Sequence, residues 1–423
     1  MSAFSLVTAT NVFKRKFWKM SDAVFNASNV TWSRINKNTD FVGKDMFVSN
    51  PMSFSGGVGS GALPTPNVGK YEGSIINSKK IYAVSQVERE AIKASEQSEG
   101  AFVKAMAETV KKTLESFMRN MSRQLFSDGS GVLGKGAGGA TADVTGAGTT
   151  GSPYIVTFTA ATFFDANFEE RDLVQIVTGL AADNSGGAVE TTYLEIQSVN
   201  PATFVVELVG TSARLAALVL AADPFATTDG IVMQNSYGND ITGLRGIANA
   251  SLAGSGSIYN VPVQRRWSMD VKDASAAAIT VDLINERMLV IERKSGKVPN
   301  LIVCGFKQYQ KLLALQENQK RYNLSPKDSK YAGQFSFDGL QFMSTAGIVP
   351  VVYDRFVHDD EIWLLNDNYI TMTMRPGGAQ WFEEDGTVFL RDTGSDSYSA
   401  RYGLYGELYI IPTFHGQIKN LAV

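Results

Sequence analysis

The chain has 423 residues, of which 44% are hydrophobic and 19% charged, with a formal net charge of −3. That is the balance of a folded protein long enough for two or three packed units, and it predicts neither nucleic-acid nor membrane binding by itself. One cysteine, Cys304, excludes disulfides within the chain and cysteine-based zinc sites, and the apolar run Leu215 to Ala222 is too short to cross a bilayer.

Residues 1–50 are mildly basic, with Lys14, Arg15, Lys16, Lys19, Arg34, Lys37 and Lys44 against Asp22, Asp40 and Asp45. This segment either faces a polyanion or is a solvated helix face. No apolar h-region followed by a small-residue cleavage site is present there. Val12, Phe13, Phe17, Trp18, Val24 and Phe25 predict one or two short amphipathic helices over 8–27. Thr31 to Ile35 reads as a short strand, and so does Lys44 to Ser49. Residues 51–70, PMSFSGGVGSGALPTPNVGK, bury too little apolar surface to repay their own ordering. Alternation returns over Lys79 to Val87, so residues 40–87 predict a long hairpin with a loose tip.

Phe102, Met106, Val110, Leu114, Phe117, Met121 and Leu125 then recur every three or four residues, one apolar stripe on a helix from about Phe102 to Phe126. Some 25 residues at ~1.5 Å each make a rod of roughly 38 Å. Glu108 with Lys112, Lys111 with Glu115 and Glu115 with Arg119 support its solvated side, and Ser127-Asp128-Gly129 stops it.

Residues 134–152 read as a Gly/Ala/Thr-rich linker. Four strands follow, Tyr154–Phe158, Leu173–Val177, Thr192–Val199 and Phe204–Val209, in the manner of a small barrel; residues 137–232 are expected to form an inserted β subdomain. Residues 260–370 alternate helix and strand. Thr280 caps a helix bearing Ile284, Met288 and Ile291, and Gly296 ends it. Leu301–Cys304 is a buried strand, Phe306 to Leu315 a helix, and Val349–Tyr353 and Glu361–Leu365 are strands. Gln380–Phe382, an Asp385-Gly386 turn, Val388–Arg391 and a long strand through Tyr398, Ala400, Tyr402 and Leu404 complete a β-rich final stretch.

Candidate chemistry is sparse. Gly129 to Lys135 has the spacing of a phosphate-binding loop, yet Gly136 stands where Ser or Thr would hold magnesium, a helix precedes it, and no helical pattern follows. A helix-to-insert linker explains it better. His358-Asp359-Asp360-Glu361 offers a base beside carboxylates, or simply a solvated turn. Glu383-Glu384-Asp385 offers paired carboxylates but sits on a hairpin turn. His415 reads as a loop or edge histidine. Tyr398, Tyr402, Tyr405 and Tyr409 form either a stacking platform for single-stranded nucleic acid or a packed sheet, and no basic groove accompanies them beyond Arg391 and Arg401.

The order of these parts resembles the major capsid proteins of tailed phages, those of the Hong Kong 97-like fold. A loose arm, a long helix with the exit SDGSG, the segment NDITGLRGI (239–247), the strand-then-helix passage PNLIVCGFKQYQKL and the late strands GIVPVVYDRFVHDDEIWLLN carry the likeness. The resemblance implies an α+β capsid fold: an N-terminal arm (1–40), an extended loop hairpin (41–87), a long spine helix in a peripheral domain (88–136), the inserted β-barrel-like subdomain (137–232), a link (233–259), an axial domain (260–370) and peripheral-domain return strands (371–423). It implies a virion shell protein with no enzymatic activity, cofactor, metal or membrane partner. The shell would be icosahedral, built from pentamers and hexamers in the host cytoplasm around double-stranded DNA, with non-specific DNA contact.

Lacking a long charged N-terminal region, the chain would need a separate scaffolding protein, and also a portal. Phe13, Phe17, Trp18, Phe54, Val58, Leu63, Lys70 and Tyr71 are the expected contacts between subunits, and Lys14, Arg15, Lys16 and Lys19 the expected basic inner surface. Some members crosslink Lys to Asn; Lys70, Lys79 or Lys80 would be donors and Asn366 or Asn368 acceptors. An encapsulin-like cellular shell housing cargo, and a nucleotide-binding enzyme using Gly129–Lys135, are the alternative readings.

Overall fold

The apolar stripe forms a 27-residue helix, Glu99–Leu125, in the computed structural model. The described residues are 30–53, 69–89, 99–136, 138, 144–159, 162–317, 340–344, 347–383, 388–391 and 394–423. Leu114, Phe117, Met121 and Leu125 are each 1% exposed, while Lys111 and Glu115 face solvent 3.8 Å apart. No helix among the described residues is long and apolar enough to cross a membrane.

The chain divides into two compact units, one of residues 1–125 and 244–423, the other of Phe126–Gly243. The first unit holds two six-stranded sheets. In one, the 14-residue strand Ser397–Ile410 is the axis. Ile370–Met374, Gln380–Trp381 and Phe389–Arg391 pair with it antiparallel in succession, and Lys79–Glu88 pairs with residues 397–406. Asn36–Asn38 adds in parallel outside Ile370–Met374.

Partners in an antiparallel ladder share a face. Ile81 with Leu404, Ala83 with Tyr402 and Ser85 with Ala400 therefore look one way. The helix Glu99–Leu125 covers that face, and the Phe117 ring meets Tyr402 edge-on at 4.9 Å. The strand Lys79–Glu88 thus belongs to this sheet, not to the hairpin expected over 40–87. The hairpin proper is Asp45–Ser53 against Lys70–Asn77.

The second sheet runs in the order Asp270–Asp273, Gly416–Lys419, Ile362–Leu365, Leu301–Cys304, Gly347–Tyr353, Leu340–Ser344. Its two central strands, Leu301–Cys304 and Ile362–Leu365, are buried at every position and so show no alternation. Two helices, Val281–Ser295 and Phe306–Glu317, lie next to these strands in sequence. Thr280 Oγ1 accepts from Leu283 N, and Gly296 closes the first helix at φ +72. Ile284, Met288 and Ile291 join Ile302, Val349, Ile362 and Ile418 in one core.

The Thr31 to Ile35 stretch is a helix, Val30–Arg34, not a strand. Thr31, Trp32 and Ile35 are all buried, a spacing that a helix can place on one side and a strand cannot.

The second unit carries an eight-stranded sheet ordered Val132–Lys135, Gly230–Met233, Leu173–Thr178, Leu194–Asn200, Val205–Gly210, Tyr154–Thr157, Val144–Thr145, with Ala188–Val189 beside Leu173–Thr178. Strand pairings among the described residues form an open path, so the barrel-like expectation gives way to an open antiparallel sheet. The unit begins earlier and ends later than 137–232, because Val132–Lys135 pairs with Gly230–Met233. The apolar run at 215–222 belongs to a helix, Ala213–Ala221. Glu190 holds its start by accepting from Arg214 N at 2.7 Å and Ser212 Oγ at 2.5 Å. Leu215 and Leu218 join Val156, Ile176, Leu194, Val206 and Phe225 in the core.

Candidate assembly surfaces

The expected contacts between subunits call for surfaces that the fold itself leaves uncovered. The hairpin Asp45–Ser53/Lys70–Asn77 has one covered and one open face. On the covered face, Met52 and Ile76 are buried, Asn50 Nδ2 donates to Ser74 Oγ at 2.6 Å, and Tyr409 OH donates to Asn50 Oδ1 at 3.0 Å. Ile75 N also donates to Tyr259 O at 3.0 Å. On the open face, Phe47 is 67% and Tyr71 59% exposed. The Phe47 ring lies so close over Gly73 that a Cβ there would overlap it. Lys70 starts the second strand and pairs with Glu72 at 2.8 Å. Of the predicted contacts, Phe13, Phe17, Trp18, Phe54, Val58 and Leu63 lie outside the described residues, as do Lys14, Arg15, Lys16 and Lys19.

The N-terminal arm expected over 1–40 is shorter where it is described. Trp32, Ile35 and Phe41 are buried against their own unit, and Thr31 Oγ1 donates to Asp354 Oδ2 at 2.6 Å. Burial pushes the Asp354 carboxyl above its ordinary range, and the bonds from Thr31 and from Phe356 N oppose that.

Among the described residues, the sheet built on Ser397–Ile410 has an uncovered surface opposite the helix Glu99–Leu125. Lys80 with Tyr405, Tyr82 with Gly403, and Val84 with Arg401 are paired across it. Tyr82, Phe382 and Tyr405 form a ring cluster with centroids 5.4–6.0 Å apart, and the Tyr82 and Tyr405 hydroxyls stand 3.4 Å apart. A Cβ at Gly403 would run into Phe382, so glycine there lets the ring lie down. Tyr82 is 46% and Val84 61% exposed.

The four tyrosines of the long strand do not make one platform. Tyr402 packs inward on Phe117 and Trp381, whereas Tyr405 is on the outer face and Tyr409 meets Tyr259.

The remaining chemical candidates resolve into structure. The Gly129–Lys135 stretch leads into a strand, and Lys135 Nζ donates to Ala181 O at 2.6 Å and Asn184 Oδ1 at 3.1 Å. His358, Asp360 and Glu361 bring their ligand atoms within 4.8 Å of one another. Arg245, however, already covers both Glu361 oxygens at 3.1 and 3.0 Å. Burial raises the Glu361 carboxyl, but Arg245 and His358 outweigh it and hold the group below its usual range. His415 does lie in a loop, between Pro412–Phe414 and Gly416–Lys419, but it is fully buried: its Nδ1 accepts from Asn366 N at 3.1 Å, and burial pushes its pKa down to about 3. The Asn366 amide is buried too, donating to Val298 O and accepting from Asn368, which leaves it poorly placed as a crosslink acceptor. Of Glu383-Glu384-Asp385, the last two lie outside the described residues.

The first unit thus combines a long helix across one sheet, an extended hairpin and a second sheet with helices beside it, and the second unit carries a sheet of its own. The capsid asymmetric unit of cyanophage A-1(L) has this fold: it aligns over 92% of this chain and 91% of its own, at 10% identity and a TM-score of 0.54. The capsid of a native GTA particle aligns over 93% of this chain and 90% of its own, at 9% identity and a TM-score of 0.42. No curated protein matches the chain. The model of the SU10 major capsid protein family matches residues 208–420, half of the sequence, and the chain belongs to that family. It is a phage major capsid protein, a component of the virion shell.

Proposed function

We propose that this subunit builds an icosahedral shell of pentamers and hexamers through its hairpin and N-terminal arm, acting by distributed contact and not by catalysis. The observation that carries this reading is the hairpin: one face is fixed to its own unit through Asn50, Ser74 and Tyr409, and the other presents Phe47 and Tyr71 to solvent. Large exposed aromatic side chains on a strand pair mark a surface that a partner covers. Phe54, Val58, Leu63, Lys70 and Tyr71 would touch the neighbour under the hairpin, and Phe13, Phe17 and Trp18 the neighbour over the arm. Each contact can be weak, because closure of the shell multiplies them.

Lys14, Arg15, Lys16 and Lys19 would meet packaged DNA non-specifically, and that contact would weaken with salt. Assembly in the host cytoplasm would use a separate scaffolding protein and a portal. The test is replacement of residues 54–68 by Asn-Gly, which keeps buried Met52 in place. The expected product is a folded subunit that forms no regular particles in negative stain. Normal particles from it would refute the role of the hairpin.

A further inference from the structure

The short strands Ser257–Ile258 and Val261–Pro262 pair across a two-residue turn, Tyr259-Asn260, with φ of +51 and +67. A tight turn with both residues left-handed is ordinarily made by Asn-Gly. Asn tolerates that conformation, but a tyrosine is strained in it. Such strain persists only where the surroundings over-determine it, and it collects where position matters to function.

The surroundings of Tyr259 do over-determine it. Its carbonyl oxygen accepts from Ile75 N at 3.0 Å, and its hydroxyl donates to Leu408 O at 2.7 Å. Just before it, Ile258 O accepts from Trp267 Nε1 at 3.1 Å. One end of the residue therefore grips the hairpin Asp45–Ser53/Lys70–Asn77, and the other grips the long strand Ser397–Ile410. The direction of the carbonyl follows from the backbone angles, so the strained conformation aims it at Ile75 while the ring stays on the long strand.

The ring also backs Tyr409, with centroids 5.4 Å apart, and the Tyr409 hydroxyl donates to Asn50 Oδ1 at 3.0 Å. The hairpin is thus held on both of its strands, at Ile75 directly and at Asn50 through Tyr409. Ile75 pairs with Phe47, and Asn50 with Glu72, so the two points lie three residues apart along the ladder, roughly 10 Å at ~3.3 Å per residue. One point of attachment lets a strand pair pivot; two fix its axis.

We infer that the Tyr259-Asn260 turn is the bracket that sets the direction in which the hairpin leaves its own unit, and that Tyr259 is a positioning residue for assembly. This rests on the shell reading above and adds to it the residue that aims the hairpin. A hairpin already aimed loses less freedom on meeting a partner.

The test uses full-length variants. Tyr259→Gly keeps the turn and removes the ring. The double variant Tyr259→Phe/Tyr409→Phe keeps both rings and removes the bonds to Leu408 and Asn50. Val261→Ala, at a fully buried position of the same small hairpin, is the control for stability alone. Deuterium uptake over 45–53 and 70–77 is measured in unassembled subunit, and particle size in negative stain. Tyr259→Gly is expected to speed uptake over 70–77 about tenfold, the equivalent of one lost hydrogen bond, and to give particles of mixed size. The double variant is expected to speed uptake over both strands, with the same mixed particles. Val261→Ala is expected to lower the melting temperature and to leave hairpin uptake and particle size unchanged.

Regular particles from both tyrosine variants would overturn the inference, whatever the uptake, and so would mixed particles from Val261→Ala, since the turn would then act through stability alone. Should Tyr259→Gly not fold, the double variant decides by the same two readouts. Failure of the unaltered protein to form particles would instead overturn the shell reading, and with it the role of Tyr259 in assembly.

Discussion

Replacing Phe117 by alanine tests whether the helix Glu99–Leu125 and the sheet built on Ser397–Ile410 form one core. The ring is 1% exposed and lies edge-on to Tyr402 at 4.9 Å. Its removal leaves a void of roughly 100 Å³ if nothing relaxes, which at ~24 cal/mol per Å³ is about 2.4 kcal/mol. The lost transfer of the ring from water adds about 2 kcal/mol. The sum, about 4 kcal/mol, sits inside the usual range for buried Phe to Ala.

The assay is urea unfolding of unassembled subunit followed by tryptophan fluorescence. All five tryptophans, Trp18, Trp32, Trp267, Trp363 and Trp381, lie outside Phe126–Gly243, so the signal reports the unit that contains the helix. Glu115→Ala is the control. Its carboxylate is about half exposed in a 3.8 Å pair with Lys111, and the midpoint should barely move. A loss below about 1 kcal/mol for Phe117→Ala, the size of an ordinary substitution, would refute the packing argument.

Arg245→Ala should cost about 3–5 kcal/mol, since it strands the buried Glu361 carboxylate without its bidentate partner. Adding Glu361→Leu should recover part of the melting temperature, and no recovery would show that the charge is not the cause. The buried His415 gives a pH signature. Its folded pKa, about 3, lies below the unfolded value of about 6.5, so below pH 6.5 the unfolded chain binds the extra proton. The stability it supports is complete above pH 6.5 and declines as pH falls towards 3. The advantage of the unaltered protein over His415→Gln should therefore shrink between pH 7 and pH 5, and a constant difference would show that His415 does not take up a proton on unfolding.

What could be read from the sequence was whatever repeats locally. The spine stripe kept one helical period from Phe102 to Leu125, and Thr280 with Gly296 marked both ends of their helix. Thr31 to Ile35 misled because Thr, Trp and Ile favour strands, while burial of Thr31, Trp32 and Ile35 together decides for a helix. The run 215–222 was apolar enough to raise a membrane question but gave no period; Ser212 and Glu190 make it a helix, and Glu190 comes from a strand-edge position 22 residues away from Ser212.

Pairing across the chain left no local mark. Nothing near Ser85 announces Ala400. The outer aromatic patch was missed for the same reason: Tyr82, Phe382 and Tyr405 come from three separate strands or their ends, and only Tyr405 stood out in sequence.

The partnership of Ser85 with Ala400 also sets a clock. The two are 315 residues apart, and at ~5–20 residues per second a ribosome needs roughly 16–60 s to make the intervening chain. Until then Lys79–Glu88 lacks its ladder with Ser397–Ile410, and the helix Glu99–Leu125 has no Tyr402 to rest on. A nascent chain therefore cannot present this sheet finished, however early its hairpin emerges. The sheet is complete only once Ser397–Ile410 is made, and of the strands among the described residues only Gly416–Lys419 follows it in the chain.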